Sequence, residues 1–449
     1  MVLNLEFIPG NFVKLETING TFKGKVMPPS ELAPKDVIII KLDNGYNIGL
    51  KKNSIKNFEI IKEEKNTKEK IRKVSQRIKP ALKQNKHLPK ITILHTGGTI
   101  ASRVDYNTGG VIANFEPKEI IAMFPEIREI AQIDSQLIGN LWSQDIRFSH
   151  YNLIGEAIKK EIKKGVKGIV ITHGTDTLHY TGAALSFMFE NLPIPIIIVG
   201  SQRSSDRGSS DAAFNLISAI AFIVNTNYKG VCTCLHENIS DDSCLIINAL
   251  KVRKMHTSRR DAFRPINTTA IARINYKTKQ VEYLKRVEND SILEQEKELK
   301  YFPFNEKLKI GLIKTHTNMY AEQFDVYEKF DGLVIEATGL GNGPTTKIDN
   351  YTEENERIKE KIEKITKKIP VAITSQCIYG RINMNVYSNQ RVMQEIGVLG
   401  HGCDMTPETA FIKLAWLISN YGSEDVKKLF HQNLRGEITE RTDEDSFLS

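Results

Sequence analysis

Between positions 12 and 61 five β-prone runs, FVKLET, TFKGKVM, DVIIIKL, YNIGL and IKNFEII, follow one another, with turn signals at Asn19-Gly20, Pro28-Pro29 and Asp43-Asn44-Gly45. Short apolar runs punctuated in this way predict a small antiparallel β-barrel over residues 1–60. From 61 to 90 the apolar density falls. Charged and polar residues surround scattered Ile71, Val74, Ile78 and Leu82, which reads as a charged linker carrying a short amphipathic helix.

Beyond 90 the period changes. Continuous apolar runs, ITILHT, GIVITH, PIIIVG and VCTCLH, are separated by YNLIGEAIKKEIKKG and by helix-like segments over 177–192 and 209–224. Buried strands alternating with helices predict an α/β fold with a mostly parallel sheet covered on both faces, here a large domain over 91–285. A charged, poorly periodic connector spans 286–305. KIGLIKTH, DGLVIEAT, VAITSQ and a helix over 407–419 then predict a smaller C-terminal α/β domain over 306–435. The acidic, polar tail, 436–449, is expected to fray. In open sheets of this kind chemistry sits beyond the carboxyl ends of the strands, so the residues just after each apolar run come first.

After the run that starts at Ile91 stands Thr96-Gly97-Gly98-Thr99-Ile100, and after GIVITH stands Gly174-Thr175-Asp176-Thr177. Glycines allow a tight turn with exposed amides, and a threonine at a strand end can present its oxygen to a carbonyl carbon. A plain turn uses the same residues, and Asp176 could simply cap the next helix. Both motifs ending strands of one sheet makes a shared site the better reading. A threonine hydroxyl needs a base, which a lysine supplies only as the neutral amine. The segment from Lys251 to Arg260 offers several cations, none singled out by composition.

Charge adds one fact. Residues 1–90 hold nineteen Lys and Arg against nine Asp and Glu, a net +10, whereas the remaining residues, with 43 against 45, sum to −2. Such an excess suits contact with phosphates or an acidic partner, and equally a solvated surface. The length of 449 residues, 40% hydrophobic and 26% charged, excludes a disordered chain, a collagen and a small disulfide scaffold. No apolar run reaches the length of a membrane span, and MVLNLEFIPGNF lacks the features of a secretory signal, so a cytoplasmic protein is expected. Five scattered cysteines suit buried free thiols in a reducing compartment. Cys232, Cys234 and His236 share a strand face without a zinc-site spacing, and no metal is expected. GLGNGP lacks the Lys-Ser/Thr of a phosphate loop.

TGGTI at 96–100, HGTDT at 173–177 and Ser143-Gln144-Asp145 after LIGNLW resemble, in order and separation, the asparaginase family of amide hydrolases over roughly residues 90–435. The extra N-terminal domain, with GSQRSSDRGSSDA at 200–212 and RKMHTSRRDAFR at 253–264, looks more narrowly like the amidase subunits of archaeal-type glutamyl-tRNA(Gln) amidotransferases.

This resemblance implies a two-domain α/β body, a homodimeric core within a heterotetramer, and glutamine or asparagine as substrate. It implies a tRNA-binding partner subunit that takes the ammonia and amidates Glu-tRNA(Gln), using ATP and Mg there, with no cofactor in this chain. It makes Thr99 the primary nucleophile, although the motifs leave open which threonine attacks first. Thr175, Asp176 and Lys254 form a second cluster in which Lys254 helps deprotonate Thr175, and Asp176 grips the substrate's α-amino group and supports Lys254. Gly98 and Gly174 supply backbone amides for the oxyanion, and Ser143 and Gln144 hold the α-carboxylate and α-amino end. Tyr106 in VDYNTGG is the lid residue, unless a one-position shift puts Asn107 there. A neighbouring subunit's second domain completes the site in the family; here 339–344 and Ser375-Gln376 lie at suitable strand ends. Two other readings compete: a free-standing cytosolic L-asparaginase, with no need of residues 1–90, and a nucleic-acid-binding protein on an asparaginase-like scaffold.

Overall fold

The computed structural model describes residues 7–27, 36–42, 47–61, 85, 87–104, 111–113, 126–204, 210–285 and 297–447. The first five strands, β1 (Phe12–Thr17), β2 (Gly20–Val26), β3 (Val37–Leu42), β4 (Asn47–Lys51) and β5 (Ile55–Ile61), form one antiparallel sheet in the order β4-β3-β2-β1-β5. Alternation gives it a core of its own: Val13, Leu15, Val26, Ile38 and Ile40 point to one side. Gly20, at φ +125°, closes the first hairpin at Asn19-Gly20 in a conformation that other residues rarely adopt. The helix expected within 61–90 lies outside the described residues.

An eight-stranded sheet dominates the large domain. Its strands are β6 (Lys90–Gly97), β9 (Gln132–Leu141), β10 (Gly168–Thr172), β12 (Pro195–Val199), β13 (Gly230–His236), β14 (Ser243–Asn248), β17 (Ala272–Asn275) and β18 (Val281–Tyr283), in the order β18-β17-β14-β13-β12-β10-β6-β9. β9, β6, β10, β12 and β13 run parallel, and the last three strands are antiparallel additions. Every residue of β10 and β12 is buried because both faces are covered. Ile169 and Ile171 face a core shared with helices α1 (Phe148–Lys163) and α2 (Leu178–Met188), while Val170 faces the opposite core with α3 (Ala212–Asn225).

Three two-stranded ribbons flank this sheet: β7 (Ser102–Val104) with β8 (Val111–Ala113), β11 (Phe189–Glu190) with β19 (Lys300–Tyr301), and β15 (Val252–Lys254) with β16 (Phe263–Pro265). The smaller domain has a parallel sheet of β20 (Ile310–Lys314), β21 (Gly332–Ala337) and β22 (Val371–Ser375), with helices α4 (Glu353–Thr366), α5 (Ser388–Glu395), α6 (Pro407–Asn420) and α7 (Ser423–Phe430). Helix α6 ties the two domains together. Its Ala410, Leu414 and Trp416 belong to the same core as α2, and Trp416 stacks on Phe187 with ring centroids 5.4 Å apart.

Three expectations need correction. The described part of the tail is anchored rather than frayed: Glu437 is fully buried against Lys413 with Nζ and Oε1 2.6 Å apart, and Ser446 is buried. A polar, acidic composition looks solvated only while its buried counter-charge, here 24 positions upstream, is out of view. The described part of the connector carries β19, so it is not wholly irregular. Of the cysteines, Cys232, Cys234, Cys244 and Cys403 are buried free thiols, but Cys377 is exposed. Among the described residues no helix is long and apolar enough to cross a membrane.

Candidate active site

β6 is the first strand of the large sheet; β9 adds on one side of it and β10 on the other. Such a reversal opens a crevice at the carboxyl ends of β6 and β10. Three of the motifs meet there, because parallel strands deliver TGGTI, HGTDT and Ser143-Gln144 to one edge.

Approach between the strand-end loops is closest at the glycines. Gly98 has φ +82°, and a Cβ on it would sit 2.3 Å from the backbone nitrogen of Gly174. Gly174 in turn packs on Ser143: a Cβ there would meet Ser143 Cβ at 2.8 Å and Oγ at 2.9 Å. Gly200, beyond β12, makes the same concession to Thr175, whose Cγ2 would be 2.8 Å from an added Cβ. Thr99 follows directly as the first residue of a 3-10 turn, Thr99–Ala101, and is partly buried. Thr177 donates from Oγ1 to the Ser143 carbonyl at 2.6 Å, fastening the HGTDT loop to the Ser143–Asp145 turn. Ser143 is buried and Gln144 exposed.

His173 sets the other side of this loop. Its Nδ1 lies 2.7 Å from the Gly174 carbonyl and its Nε2 2.7 Å from Thr181 Oγ1. A carbonyl only accepts, so Nδ1 carries the proton and Nε2 accepts from the threonine. Burial lowers the imidazole to about 4, keeping it neutral. His95, on β6, bonds Thr172 Oγ1 at 2.9 Å and is likewise lowered to about 4 by burial.

Among the cations of the segment 251–260, one contacts two residues of the HGTDT loop. Lys254 ends β15 and donates from Nζ to Thr175 Oγ1 at 2.9 Å and to Asp176 Oδ1 at 2.8 Å. The Lys254 side chain is 11% exposed, whereas that of Asp176 is 67% exposed, which leaves its carboxylate able to meet a ligand. The turn between β15 and β16 is braced by Asp261, which Arg259 and Arg264 both contact. Hydrogen bonds from Arg259, against the opposing effect of burial, hold that carboxyl down to about 2.

Two cavities flank the cluster. One, of about 400 Å³, is lined by Asp176, His179, Tyr180, Arg253, Lys254 and Glu408 among others. The second, of about 480 Å³, is lined by Ser143, Gln144, Thr177, Phe148, Tyr180 and Phe411 among others.

Thr175, Asp176 and Lys254 are thus in direct contact, with Gly98, Gly174, Ser143 and Thr99 around them; Gln144 lies on the neighbouring cavity. Tyr106 and Asn107 lie outside the described residues. The loop 339–344 and Ser375-Gln376 sit at the carboxyl ends of β21 and β22, in the smaller domain. Cys232 and Cys234 are buried and His236 Nδ1 bonds Asn215 at 2.7 Å; among the described residues no three His, Cys, Asp or Glu side chains are placed to hold a metal ion. His173, Thr177 and Glu408 were not singled out from the sequence, although the first and the second stand inside the HGTDT motif.

Residues 7–61 match the GatD N-terminal domain, 90–289 the Asparaginase, N-terminal family, and 309–430 the Glutaminase/Asparaginase C-terminal domain. The chain is 43% identical to the GatD component of the glutamyl-tRNA(Gln) amidotransferase of Methanococcus maripaludis, covering 96% of this chain and 98% of the relative. It is 42% identical to the Pyrococcus furiosus protein of the same name, over 95% and 93%. Among solved structures, the thermostable L-asparaginase from Thermococcus kodakarensis superposes with a TM-score of 0.68 at 30% identity, over 78% of this chain and all of that one. With three family matches in the expected order and relatives aligned along nearly the whole chain, this protein belongs to the GatD family of glutamyl-tRNA(Gln) amidotransferase subunits.

Proposed function

We propose that the chain hydrolyses the side-chain amide of glutamine or asparagine and supplies the ammonia to a tRNA-binding partner subunit, which uses ATP and Mg to convert Glu-tRNA(Gln) into Gln-tRNA(Gln). The observation that carries the chemistry is Lys254 Nζ within hydrogen-bond reach of both Thr175 Oγ1 and Asp176 Oδ1, beside a loop whose backbone touches the one bearing Thr99. In this reading a threonine oxygen, Thr99 first, attacks the amide carbon. The amide oxygen takes the negative charge and faces backbone N–H groups of these two loops other than that of Gly98, which donates instead to the Leu141 carbonyl at 3.2 Å and so does not fill the role expected of it. Collapse breaks the carbon–nitrogen bond, the nitrogen takes up a proton and leaves as ammonia, and water then cleaves the threonyl ester to give the acid. Lys254 takes the Thr175 proton along the 2.9 Å contact, Thr175 takes the proton that Thr99 gives up on attack, and Lys254 returns one to the departing nitrogen. The exposed Asp176 carboxylate receives the substrate's α-amino group, and Ser143 and Gln144 receive its amino-acid end.

The protein acts in the cytoplasm as a homodimeric core within a heterotetramer, and its own steps need no cofactor. The N-terminal sheet distinguishes this reading from a free-standing asparaginase, for residues 7–61 match a domain named for the amidotransferase component. The deciding assay measures ammonia from glutamine and from asparagine by the purified chain, with and without the partner subunit and Glu-tRNA(Gln). Release that rises sharply in the complete complex, and is abolished by Thr99→Ala or Lys254→Ala, supports the reading. Asparagine hydrolysis indifferent to partner, tRNA and removal of residues 1–90 makes the chain a free-standing asparaginase; tight, salt-sensitive tRNA binding without amidase activity makes it a nucleic-acid-binding protein.

A further inference from the structure

Lys254 sits at the end of β15, a strand of three residues paired, among the described residues, only to β16. A two-stranded ribbon of this size does not hold itself rigid, so the position of the amine must come from elsewhere. Val252 and Phe263 pack in the core beside α2, and further contacts come from the smaller domain. Lys251 Nζ pairs with Asp404 Oδ2 at 2.8 Å, both groups buried, and Thr409 Oγ1 donates to the Leu250 carbonyl at 3.0 Å. Arg253 donates from Nε to Glu408 Oε1 at 3.0 Å, and its Nη2 stands 2.8 Å from the same oxygen. Alternation along a strand turns Lys251 and Arg253 toward the smaller domain and leaves Lys254 facing Thr175.

Glu408 also touches the other half of the cluster. The same Oε1 stands 3.9 Å from Nε2 of His179, on the first turn of α2, three residues after Asp176. One carboxylate therefore lies against both the strand that ends in Lys254 and the helix that follows Thr175-Asp176. Glu408 is only 7% exposed, and among the described residues its Oε2 finds no hydrogen-bond partner. Replacing a buried ion pair with well-packed apolar residues is often neutral or stabilising, so stability alone is a weak reason to place a carboxylate here. The 400 Å³ cavity beside Arg253 and Lys254 gives both side chains room to move once the tether is cut.

We propose that Glu408, acting through Arg253, is a positioning residue for the amidase reaction, holding Lys254 in register with Thr175 and making the smaller domain part of the catalytic geometry. This rests on the amidase reading above. The test is steady-state ammonia release from glutamine by the full chain with its partner subunit and Glu-tRNA(Gln), alongside thermal unfolding. Glu408→Leu and Arg253→Met should each lower kcat by about 10- to 100-fold, the scale on which misplacing a catalytic group acts, with KM within about threefold; each single variant leaves a charge without its partner and should melt lower, whereas the double variant should recover the melting temperature without the rate. Arg253→Lys, which keeps the cation, should restore most of the rate, and the double variant should be no worse than the poorer single variant.

A Glu408→Leu kcat within about twofold of the parent, or full additivity in the double variant, overturns the proposal. If Glu408→Leu fails to fold, the contrast between Arg253→Met and Arg253→Lys decides: equal rates overturn the tether, and selective rescue by lysine supports it. Lys254→Met separates the two levels. Undiminished ammonia release in that variant refutes the amidase reading itself, whereas a collapse there with Glu408→Leu and Arg253→Met unaffected refutes only the positioning role.

Discussion

Gly98 and Gly174 meet so closely that a single methyl group on the first would overlap the second: a Cβ on Gly98 would lie 2.3 Å from Gly174 N and 2.5 Å from its Cα. The obstacle is backbone rather than a flexible side chain, and Gly98 also stands at φ +82°. Gly98→Ala therefore has to push the Thr99 and Thr175 loops apart. Left-handed strain costs about 1–3 kcal/mol, and a displacement of reacting groups by about 1 Å costs about a hundredfold in rate. The variant should fold with a lower melting temperature and lose at least that factor in ammonia release. Parent-like turnover in Gly98→Ala would show that the two loops do not share one reacting geometry.

The contact between Lys254 and Thr175 makes a separate prediction, because an amine can accept a proton and a guanidinium cannot. Lys254→Arg keeps a hydrogen-bond donor opposite Asp176 but should lose about 10²- to 10⁴-fold in kcat, much as Lys254→Met does. Asp176 is largely exposed, so stability should change by less than about 1 kcal/mol. Turnover and denaturant unfolding on the same preparations check both halves. Retention of more than about a tenth of the parent rate in Lys254→Arg would exclude the amine as proton acceptor.

These two sites differ in how readily the sequence discloses them. Thr99, Thr175 and Asp176 follow fully apolar runs whose burial on both faces marks them as inner parallel strands, and the rule for strand ends then points to the residues themselves. Lys254 lies in a loop rich in cations and finds Thr175 only across 79 positions, so local pattern cannot choose it; the family resemblance did. Glu408 is further from view, 155 positions from Arg253 at the start of an apolar helix where an acid reads as ordinary first-turn chemistry. Tyr106, placed by resemblance alone, lies outside the described residues. Patterns of period two and 3.6 report which face is buried, but they say nothing about which distant charge is buried with it.

Acid should loosen this fold before it protonates the carboxylates. Burial lowers His95 and His173 to about 4, while in the unfolded chain each titrates near 6.5. The unfolded state then binds more protons between those values, so the stability these groups lend is fully present above about pH 6.5 and is lost as pH falls toward 4. Each group accounts for on the order of 3 kcal/mol across that window. Glu408 behaves differently: burial pushes its carboxyl up, but His179 and Arg253 pull it down further, to about 2. Its share is present above about pH 4.5 and disappears only as pH falls toward 2. Urea unfolding at about pH 7.5, 6 and 5 should show a steady loss, and His95→Gln should remove about half of the slope. Constant stability over that range would mean that these histidines are hydrated in the folded state.

Lys413 and Glu437 form an ion pair with no exposure on either side chain, 2.6 Å between Nζ and Oε1. Burial lowers the Lys413 ammonium from its usual range while Glu437 opposes the shift. Lys413 also donates to the Gln432 carbonyl at 2.6 Å, and Glu437 accepts from the backbone N–H groups of Leu434 and Arg435, so the pair knits helix α6 to the last segment of the chain. Removing one partner leaves a buried charge without its counter-ion, which costs about 3–5 kcal/mol. Glu437→Ala should lower the denaturant midpoint accordingly, and truncation after Arg435 should do at least as much harm. Lys413→Met combined with Glu437→Leu removes both charges and should recover most of the loss. Because α6 also carries Glu408, the destabilised single variant should lose ammonia release at temperatures where the parent is still active, and the double variant should regain it. A Glu437→Ala protein with the parent's midpoint would mean that the tail is free to leave, as its composition first suggests.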